Sequence, residues 1–483
     1  MSKPQRILLL CGLVILALAG TALLGHHSGS ARLLRAYKAN LLSKGENLTY
    51  AALTGSRSTN WNSSNSVLTN AYPRLLVAKL NVNWLNLRQY TGPGQARALC
   101  LDRPERTNSA GSVASTWVEM GAELSRIEAP LEEIREAMKN PQAQGNSSPF
   151  TGLPNFIAIR SAVQWLSVHA VYEFHEGRIE AGLGDIEALV GLAQVNRDEY
   201  TLVAQMIRIA VAGLGLATTW EGLQAPGWTE AQLQRLQSAW QQVDLADALE
   251  KGLSGERAMG EDLWSTLRQT NGLRSTSAVF ARPLLGSANT TNSLASFFSE
   301  NIYFPVYRMT SIDDDELLYL KTMQGSLDAL RSLRTGSSWP MADRAWDRTF
   351  GPLLEVTRSL ERFRFPFSTI GVPNFLKAMS IGAHAETERQ VTVTAIALKR
   401  FQLAHAEAPR TLDALTPDYL ASAPRDLMSG RTLRYALRPG TSPLLYSVGT
   451  DGVDNGGDPS SAQQGKLGLW DGRDAVWPEA AEP

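Results

Sequence analysis

The sequence predicts a mainly α-helical protein with an amino-terminal transmembrane helix and a small α+β domain at the carboxyl end. Three observations lead to this prediction. An uncharged apolar run lies near the amino terminus, apolar residues at helical spacing fill the middle of the chain, and a short strand-like stretch rich in glycine and aspartate comes near the end. One helix pair in the multi-helix central domain is similar to a helical-repeat hairpin, although no fixed period recurs.

The composition favours several folded regions and argues against nucleic acid as a partner. A chain of 483 residues is too long for one ordinary domain. The hydrophobic fraction of 43% is enough for extensive cores, and the 12 tryptophans argue against general disorder. The formal net charge is -1 and no basic block or stripe stands out, so we expect no nucleic-acid binding.

The amino terminus is interpreted as a membrane anchor. The run from Ile7 to Gly25 carries no charged residue, and as a helix it spans about 28 Å, close to the ~30 Å of a bilayer core. The alternative is a cleaved signal peptide with Ala17-Leu18-Ala19 as the cleavage site, but a signal peptide usually has a shorter apolar core. We therefore expect a single-pass anchor in the inner (cytoplasmic) membrane, with the bulk of the chain exported to the periplasm or extracytoplasmic space.

Four consecutive regions are expected. These are the anchor or signal (1–30), a helical and loop-rich region (31–145), a helical core domain (146–380) and a small carboxyl-terminal domain (381–483). Loops are predicted where Ser, Thr, Asn, Gly and Pro accumulate, as in NPQAQGNSSPFTGLPN.

The helical core domain contains the clearest local signals. Phe156 to Glu176 and Ile179 to Val195 read as a helix pair. Leu202 to Leu223 is apolar on most sides, but Gln205 and Arg208 make its uncharged part too short to span a membrane, so we expect a buried helix. Thr229 and Gln232 then predict a capping box that starts the next helix.

No catalytic or cofactor-binding motif stands out. His169 and Glu173 lie four residues apart and could share a ligand, but a satisfied core histidine is the simpler interpretation. The run Asp313-Asp314-Asp315 could hold a metal, although acidic residues also favour a helix amino terminus. Cys100 is read as a small buried residue in preference to a reactive thiol, and no disulfide framework is expected.

The last part of the chain changes character. Thr387 to about Ala406 predicts a helix, and Pro409 predicts a turn after it. Arg431 to Leu437 and Pro443 to Val448 are rich in Leu, Tyr and Val, and they flank Arg438-Pro439-Gly440-Thr441, which predicts a β-hairpin.

This order resembles the globular part of the major pseudopilin of type II secretion systems, the G-type family. The residues that carry the resemblance are Ala395, Leu398, Phe401, Ala408-Pro409-Arg410-Thr411, Pro424-Arg425-Asp426, Gly430, Tyr435 and Leu445-Tyr446-Ser447-Val448-Gly449-Thr450-Asp451-Gly452. The chain departs from the family pattern at Ala408, Leu427 and Met428, where the family has tyrosine, proline and an aromatic residue. Arg6 precedes the apolar run without the family's processing site, so we do not expect assembly as a pilus subunit.

The resemblance implies a calcium site in the loop after the second strand. The implied ligands are the carbonyl of Val448 and the carboxylates of Asp451 and Asp474, and the other candidates to complete the site are Asp454, Asp458 and Asp471. Calcium takes six to eight oxygen ligands, and a glycine-rich turn lets carbonyls point inward. The competing interpretation is that aspartate and glycine simply form turns here.

We expect a membrane-anchored extracytoplasmic protein with a structural or protein-interaction role at the cell envelope. Its expected partners are envelope or secretion-related proteins, through a link to type II secretion or surface assembly that the resemblance implies. The alternative is a periplasmic enzyme, a hydrolase, with a site in the helical domain. A cavity with converging acids or histidines would favour the enzyme, and an apolar surface would favour the binding protein.

Overall fold

The computed structural model describes residues 28–55, 63–78, 87–101, 116–141, 156–269, 299–371, 375–438, 442–461, 463 and 465–481. Over these residues the protein is mainly α-helical, with a small β component in two three-stranded sheets. The predicted mainly α fold is confirmed at this level. The apolar run from Ile7 to Gly25 lies outside the described residues, and the anchor stays a prediction.

The described helices and strands are numbered in chain order. The helices are α1 (28–43), α2 (Tyr50–Thr54), α3 (Ser63–Leu75), α4 (Trp117–Ser125), α5 (Glu128–Met138), α6 (Phe156–His175), α7 (Ile179–Val195), α8 (Leu202–Gln224), α9 (Glu230–Gln241), α10 (Leu245–Arg268), α11 (Phe304–Thr310), α12 (Ile312–Thr335), α13 (Trp339–Arg358), α14 (Pro366–Gly371) and α15 (Phe375–His405). The strands are β1 (Gln89–Gly92), β2 (Gln95–Arg97), β3 (Arg434–Ala436), β4 (Leu444–Ser447), β5 (Ala475–Val476) and β6 (Glu479–Ala480).

The chain folds into two compact units, each built from segments that are distant in sequence. Unit 1 comprises Met1–Gly55, Leu253–Asp328 and Ala345–Leu376. Unit 2 comprises Ser56–Gly252, Ala329–Arg344 and Lys377–Pro483. The carboxyl-terminal segment therefore shares a compact unit with helices α3 to α9.

The centre of unit 2 is the helix trio α6, α7 and α8. The ring of Phe174 lies so close to two glycines that a Cβ atom would approach it to 2.5 Å at Gly182 and 2.6 Å at Gly222. The absence of side chains at these glycines lets the three helices pack tightly. The predicted helix pair is confirmed, with Gly177 at a φ of 73° in the turn between α6 and α7.

Helix α8 is the one described helix that is long and apolar enough to cross a membrane, and 67% of its most apolar stretch is buried in the protein. The predicted buried helix is thus confirmed. The capping box at the start of α9 is confirmed as well, because Thr229 accepts the Gln232 N–H and Gln232 accepts the Thr229 N–H.

One sheet of unit 2 pairs two strands near residue 90 with a strand near residue 480. Strands β1 and β2 form an antiparallel pair, and β6 pairs in parallel with β2, with Gln95 opposite Glu479. The buried indole of Trp220 on α8 donates its N–H to the carbonyl of Pro478 at 3.0 Å. Strands β1 and β2 carry no alternating apolar pattern, so this sheet lies outside the predictions from the sequence.

The second sheet of unit 2 contains the predicted hairpin. Strand β3 pairs antiparallel with β4, with Tyr435 opposite Leu445, and β4 pairs antiparallel with β5. The hairpin is confirmed with shorter strands than expected. The start of the preceding helix was predicted wrongly: α15 begins at Phe375 and not at Thr387, because its buried apolar face, with Ala378, Met379 and Ala383, extends further towards the amino terminus.

Unit 1 is built around aromatic side chains. The buried ring of Trp264 on α10 packs against Tyr319 at 4.9 Å and against Phe367 at 5.9 Å between ring centroids. The fully buried carboxylate of Asp315 accepts the N–H groups of Phe367 and Ser368, each at 3.1 Å, and thereby caps α14. Helix α1 contributes buried Leu34 and Leu41.

Candidate functional site

The loop between β4 and β5, where the calcium site was expected, is organised by the carboxylate of Asp474. This residue is 1% exposed, and its oxygens accept the N–H groups of Asn455, Gly457 and Asp458 at 2.8–3.3 Å. Burial raises the pKa of Asp474, and the three N–H donors oppose that rise. One buried side chain thus supplies the acceptors for three backbone groups of the loop.

Gly449 lets the loop begin next to the segment before β5. Its φ is 73°, and a Cβ atom would lie 2.2 Å from the carbonyl oxygen of Arg473. Only a residue without a side chain fits this close approach between two backbones.

A second buried carboxylate joins two motifs that carry the pseudopilin resemblance. Asp426 is completely buried and accepts the Ser447 hydroxyl at 2.7 Å and the Val448 N–H at 3.3 Å. It also accepts the N–H of Met428 at 2.9 Å. The Pro424-Arg425-Asp426 segment is therefore fixed to the end of β4, where the β4–β5 loop (residues 448–474), called here the aspartate loop, begins.

The three implied calcium ligands lie in different surroundings. Val448 and Asp474 are buried, whereas Asp451 is exposed and accepts the N–H of Val453 at 2.9 Å, as in an ordinary Asx turn. Within the described residues no group of three or more His, Cys, Asp and Glu side chains is arranged to hold a metal ion. An ion bound to Asp474 would have to compete with the three N–H donors.

The other candidate aspartates also act as hydrogen-bond acceptors. Asp454 accepts from Arg434 at 2.7 Å and from the Tyr446 hydroxyl at 2.9 Å. Asp458 accepts the N–H of Ser460 at 2.9 Å, and Asp471 accepts that of Gly468 at 3.0 Å. This geometry matches turn formation, and the calcium site stays a prediction.

The loop also rests on helix α15 through His384. The imidazole stacks on Trp470 with ring centroids 4.2 Å apart, and its Nε2 lies 3.2 Å from the hydroxyl of Thr450. Burial lowers the pKa of His384 to about 4, so the ring is neutral at physiological pH.

His169 belongs to a buried ion-pair network on helices α5, α6 and α7. Its Nδ1 donates to Asp185 at 2.6 Å, and its Nε2 lies 3.1 Å from Glu128. Burial alone would lower the pKa of His169, but the bonds to Asp185 and Glu128 outweigh it and raise the pKa to about 9. Arg135 donates to the other oxygen of Asp185 at 2.7 Å. The satisfied core histidine is thus the correct interpretation.

Cys100 is buried, and its thiol donates to the backbone carbonyl of Glu221 at 3.2 Å. The side chain of Glu221 accepts the N–H groups of Arg88 and Leu99 at 3.1 and 2.8 Å. Burial raises the pKa of Glu221 to about 7. These groups hold the chain on both sides of the β1–β2 hairpin against α8.

The three consecutive aspartates of α12 have three different partners. Asp313 pairs with Arg268 at 2.6 Å, Asp314 lies 3.3 Å from Arg364, and Asp315 caps α14. Their carboxylates do not converge on a common point, which argues against a shared metal. They lie in the first turn of the helix, which agrees with the prediction that acidic residues mark the start of a helix here.

Unit 1 contains a polar cavity of about 700 Å³ that sequence reasoning did not find. It is lined by residues from α1, from α10 with its carboxyl end, from α11 and from α12. These are Ala31, Leu34, Arg35, Lys38, Glu261, Ser265, Arg268, Gln269, Arg308, Ile312 and Asp313. The lining residues come from three stretches that are far apart in sequence, 31–38, 261–269 and 308–313, and no motif joins them.

The charges in this cavity are partly paired. Lys38 forms ion pairs with both Glu261 and the fully buried Glu316, and Arg268 pairs with Asp313 and Glu316. Burial, and next the neighbouring Glu316, raise the pKa of Glu261 to about 7. Arg35, in contrast, has no carboxylate partner among the described residues, and the polar contact of Arg308 is to the carbonyl of Arg268 at 2.8 Å.

No family of known proteins, no curated protein and no solved structure matches this chain. The resemblance to the G-type pseudopilins therefore rests on the motif residues alone. The roles of the loop and of the cavity are inferred from their own geometry.

Proposed function

We propose that this chain is a membrane-anchored, extracytoplasmic protein with a structural or protein-interaction role at the cell envelope. The proposal rests chiefly on the position of α1. Its first described residue, Ser28, lies three residues after Gly25, the end of the apolar run, and the helix is part of the packed core of unit 1 through Leu34 and Leu41. The folded protein would thus start at the membrane surface without a long linker.

The carboxyl-terminal segment supports the interaction role. Its helix, hairpin and aspartate loop follow the order that the pseudopilin resemblance implies, and the loop is fixed through Asp426 and Asp474. Strand β6, near the end of this segment, pairs with β2. A segment held in this way would present a constant surface to an envelope partner, and we propose secretion or surface-assembly proteins as the partner class.

Three experiments test this function. In fractionated cells, the full chain should resist alkaline extraction from membranes, and a carboxyl-terminal tag should be digested by protease added to spheroplasts. A chain that is released by alkali would overturn the anchor, and a protected tag would overturn the exported topology. Cross-linking in the native membranes should then capture secretion or surface-assembly proteins. Failure to capture any envelope protein reproducibly would overturn the interaction role.

A second candidate function, a hydrolase, is favoured by one observation. The cavity of unit 1 brings Glu261, with its pKa raised to about 7, next to Lys38 and within the same lining as Ser265. A carboxyl group with this pKa is suited to general acid–base catalysis near neutral pH. A screen of ester and phosphoester substrates with the wild type and Glu261→Gln tests this: activity that is unchanged in the variant excludes Glu261 as the catalytic group.

A further inference from the structure

Helix α11 of unit 1 exposes an apolar face. Ile302, just before the helix, and Val306 and Met309 within it are 48%, 54% and 66% exposed, and their spacing of four and three places them on one side. Phe304 and Tyr307 on the other side are buried in unit 1. An exposed group of large apolar side chains marks an interaction surface.

A second exposed apolar segment lies next to α11. The hydroxyl of Tyr303 donates to the carbonyl of Phe363 at 2.7 Å, which brings the turn Leu360–Phe363 beside the helix. Leu360 is 82% exposed and Phe363 is 37% exposed. We call Ile302, Val306, Met309, Leu360 and Phe363 the apolar face.

The same helix contributes Arg308 to the polar cavity. Arg308 and Arg35 line the cavity from α11 and α1, and neither is paired with a carboxylate among the described residues. Lys38 and Arg268 are compensated by Glu261, Glu316 and Asp313. The cavity therefore offers two guanidinium groups to an anion, and guanidinium binds phosphate oxygens in a bidentate manner.

The proposed anchor would place this cavity near a membrane. Ala31 in its lining is six residues after Gly25, the end of the apolar run, so even a fully extended chain keeps it within about 20 Å of that point. The headgroup layer is about 5–7 Å thick on each side of the hydrocarbon core. An apolar face next to basic residues is typical of segments that lie in this layer.

We propose that the cavity binds the phosphate of an anionic phospholipid in the extracytoplasmic leaflet, while the apolar face lies in the membrane interface. Arg35 and Arg308 contact the phosphate. Glu261 and Asp313 in the lining accept hydrogen bonds from hydroxyl groups of the headgroup, as phosphatidylglycerol provides. The inference rests on the proposed membrane anchor. It adds that the anchored protein binds a lipid.

The test uses the full chain purified in a neutral detergent, so that lipid binding is measured without reliance on membrane insertion. Native mass spectrometry counts the bound phosphatidylglycerol in a titration, with phosphatidylcholine and free glycerol phosphate in parallel. We expect saturable binding of phosphatidylglycerol that is weakened about fivefold by Arg35→Gln or Arg308→Gln and more than tenfold by the double variant.

Arg32→Gln is the matched control, because Arg32 is exposed on the same helix and does not line the cavity. It should bind within twofold of the wild type. Equal binding by Arg35→Gln, Arg308→Gln and Arg32→Gln overturns the site, as does equal binding of phosphatidylcholine. Glycerol phosphate binding as tightly as the lipid overturns the lipid as the source of the phosphate. Alkaline release in the fractionation experiment would refute the anchor while this titration still reports on the cavity.

Discussion

The carboxylate of Asp474 accepts the N–H of Gly457 at 2.8 Å across the aspartate loop, and the same carboxylate accepts the N–H groups of Asn455 and Asp458. A loop whose backbone donors converge on one buried side chain depends on that side chain. The order of the loop therefore comes from a residue that follows it in sequence.

Asp474→Ala is expected to destabilise unit 2 by about 2 kcal/mol or more, because it removes the acceptor of three backbone N–H groups in the interior. Thermal unfolding of the full chain, with limited proteolysis of the loop, measures this. Asp451→Ala is the matched control, since Asp451 is exposed and accepts a single N–H. An equal effect of the two substitutions would refute the central role of Asp474.

Gly449→Ala is expected to destabilise the protein by about 1–3 kcal/mol more than Gly456→Ala. Both glycines have a positive φ, 73° and 72°, so both substitutions introduce similar backbone strain. Only at Gly449 would the new Cβ meet another backbone, at 2.2 Å from the carbonyl of Arg473, whereas nothing lies within 4 Å at Gly456. Chemical denaturation of the two variants compares them, and identical midpoints would contradict the close approach.

Calcium is expected to raise the melting temperature of the protein above its value with a chelator, if the resemblance to the pseudopilin loop extends to its ligands. Asp451→Ala should then abolish the difference, because it removes the one exposed carboxylate of the three implied ligands. The same melting temperature with calcium and with chelator in the wild type would show that the loop needs no ion. In that case Asp474 and the turns alone account for its order.

The free energy of unfolding should fall at alkaline pH, because His169 loses its proton there. Its pKa is raised from 6.5 to about 9, so the folded state holds the proton more tightly than the unfolded state. The stabilisation is complete below pH 6.5 and is lost as the pH rises to about 9, with up to about 3 kcal/mol at stake. Unfolding measured from pH 6 to 10 should show this loss in the wild type and a weaker one in His169→Gln. His405→Gln, at an exposed position, is the control and should follow the wild type.

Local signals in the sequence were sufficient for the parts of the fold that depend on neighbours along the chain. The capping box of Thr229 and Gln232 and the turn at Gly177 each involve residues close together in sequence. The hairpin of β3 and β4 is also local, because its partners Tyr435 and Leu445 are separated by one short connection. Such features need no knowledge of the rest of the fold.

The remaining features arise from distant pairings. The strand β2 lacks a strong pattern, and its parallel partner β6 lies at the other end of the chain. The cavity takes Arg35, Glu261 and Arg308 from three separate helices. Even the predicted ligand Asp474 proved to be a buried acceptor, and its burial depends on how the β4–β5 loop folds over it. A single sequence does not show which distant residues contact each other in the folded protein.

The parallel pairing of β6 with β2 has a consequence for synthesis. The indole N–H of Trp220 obtains its acceptor, and β2 obtains its second neighbour, only from residues 478–481. A nascent chain cannot complete unit 2 until residues 478–481 have left the ribosome. A chain that stops before residue 478 would leave a polar group unsatisfied in the interior and an open strand edge. Quality-control proteases would then distinguish chains that lack these residues from chains that contain them.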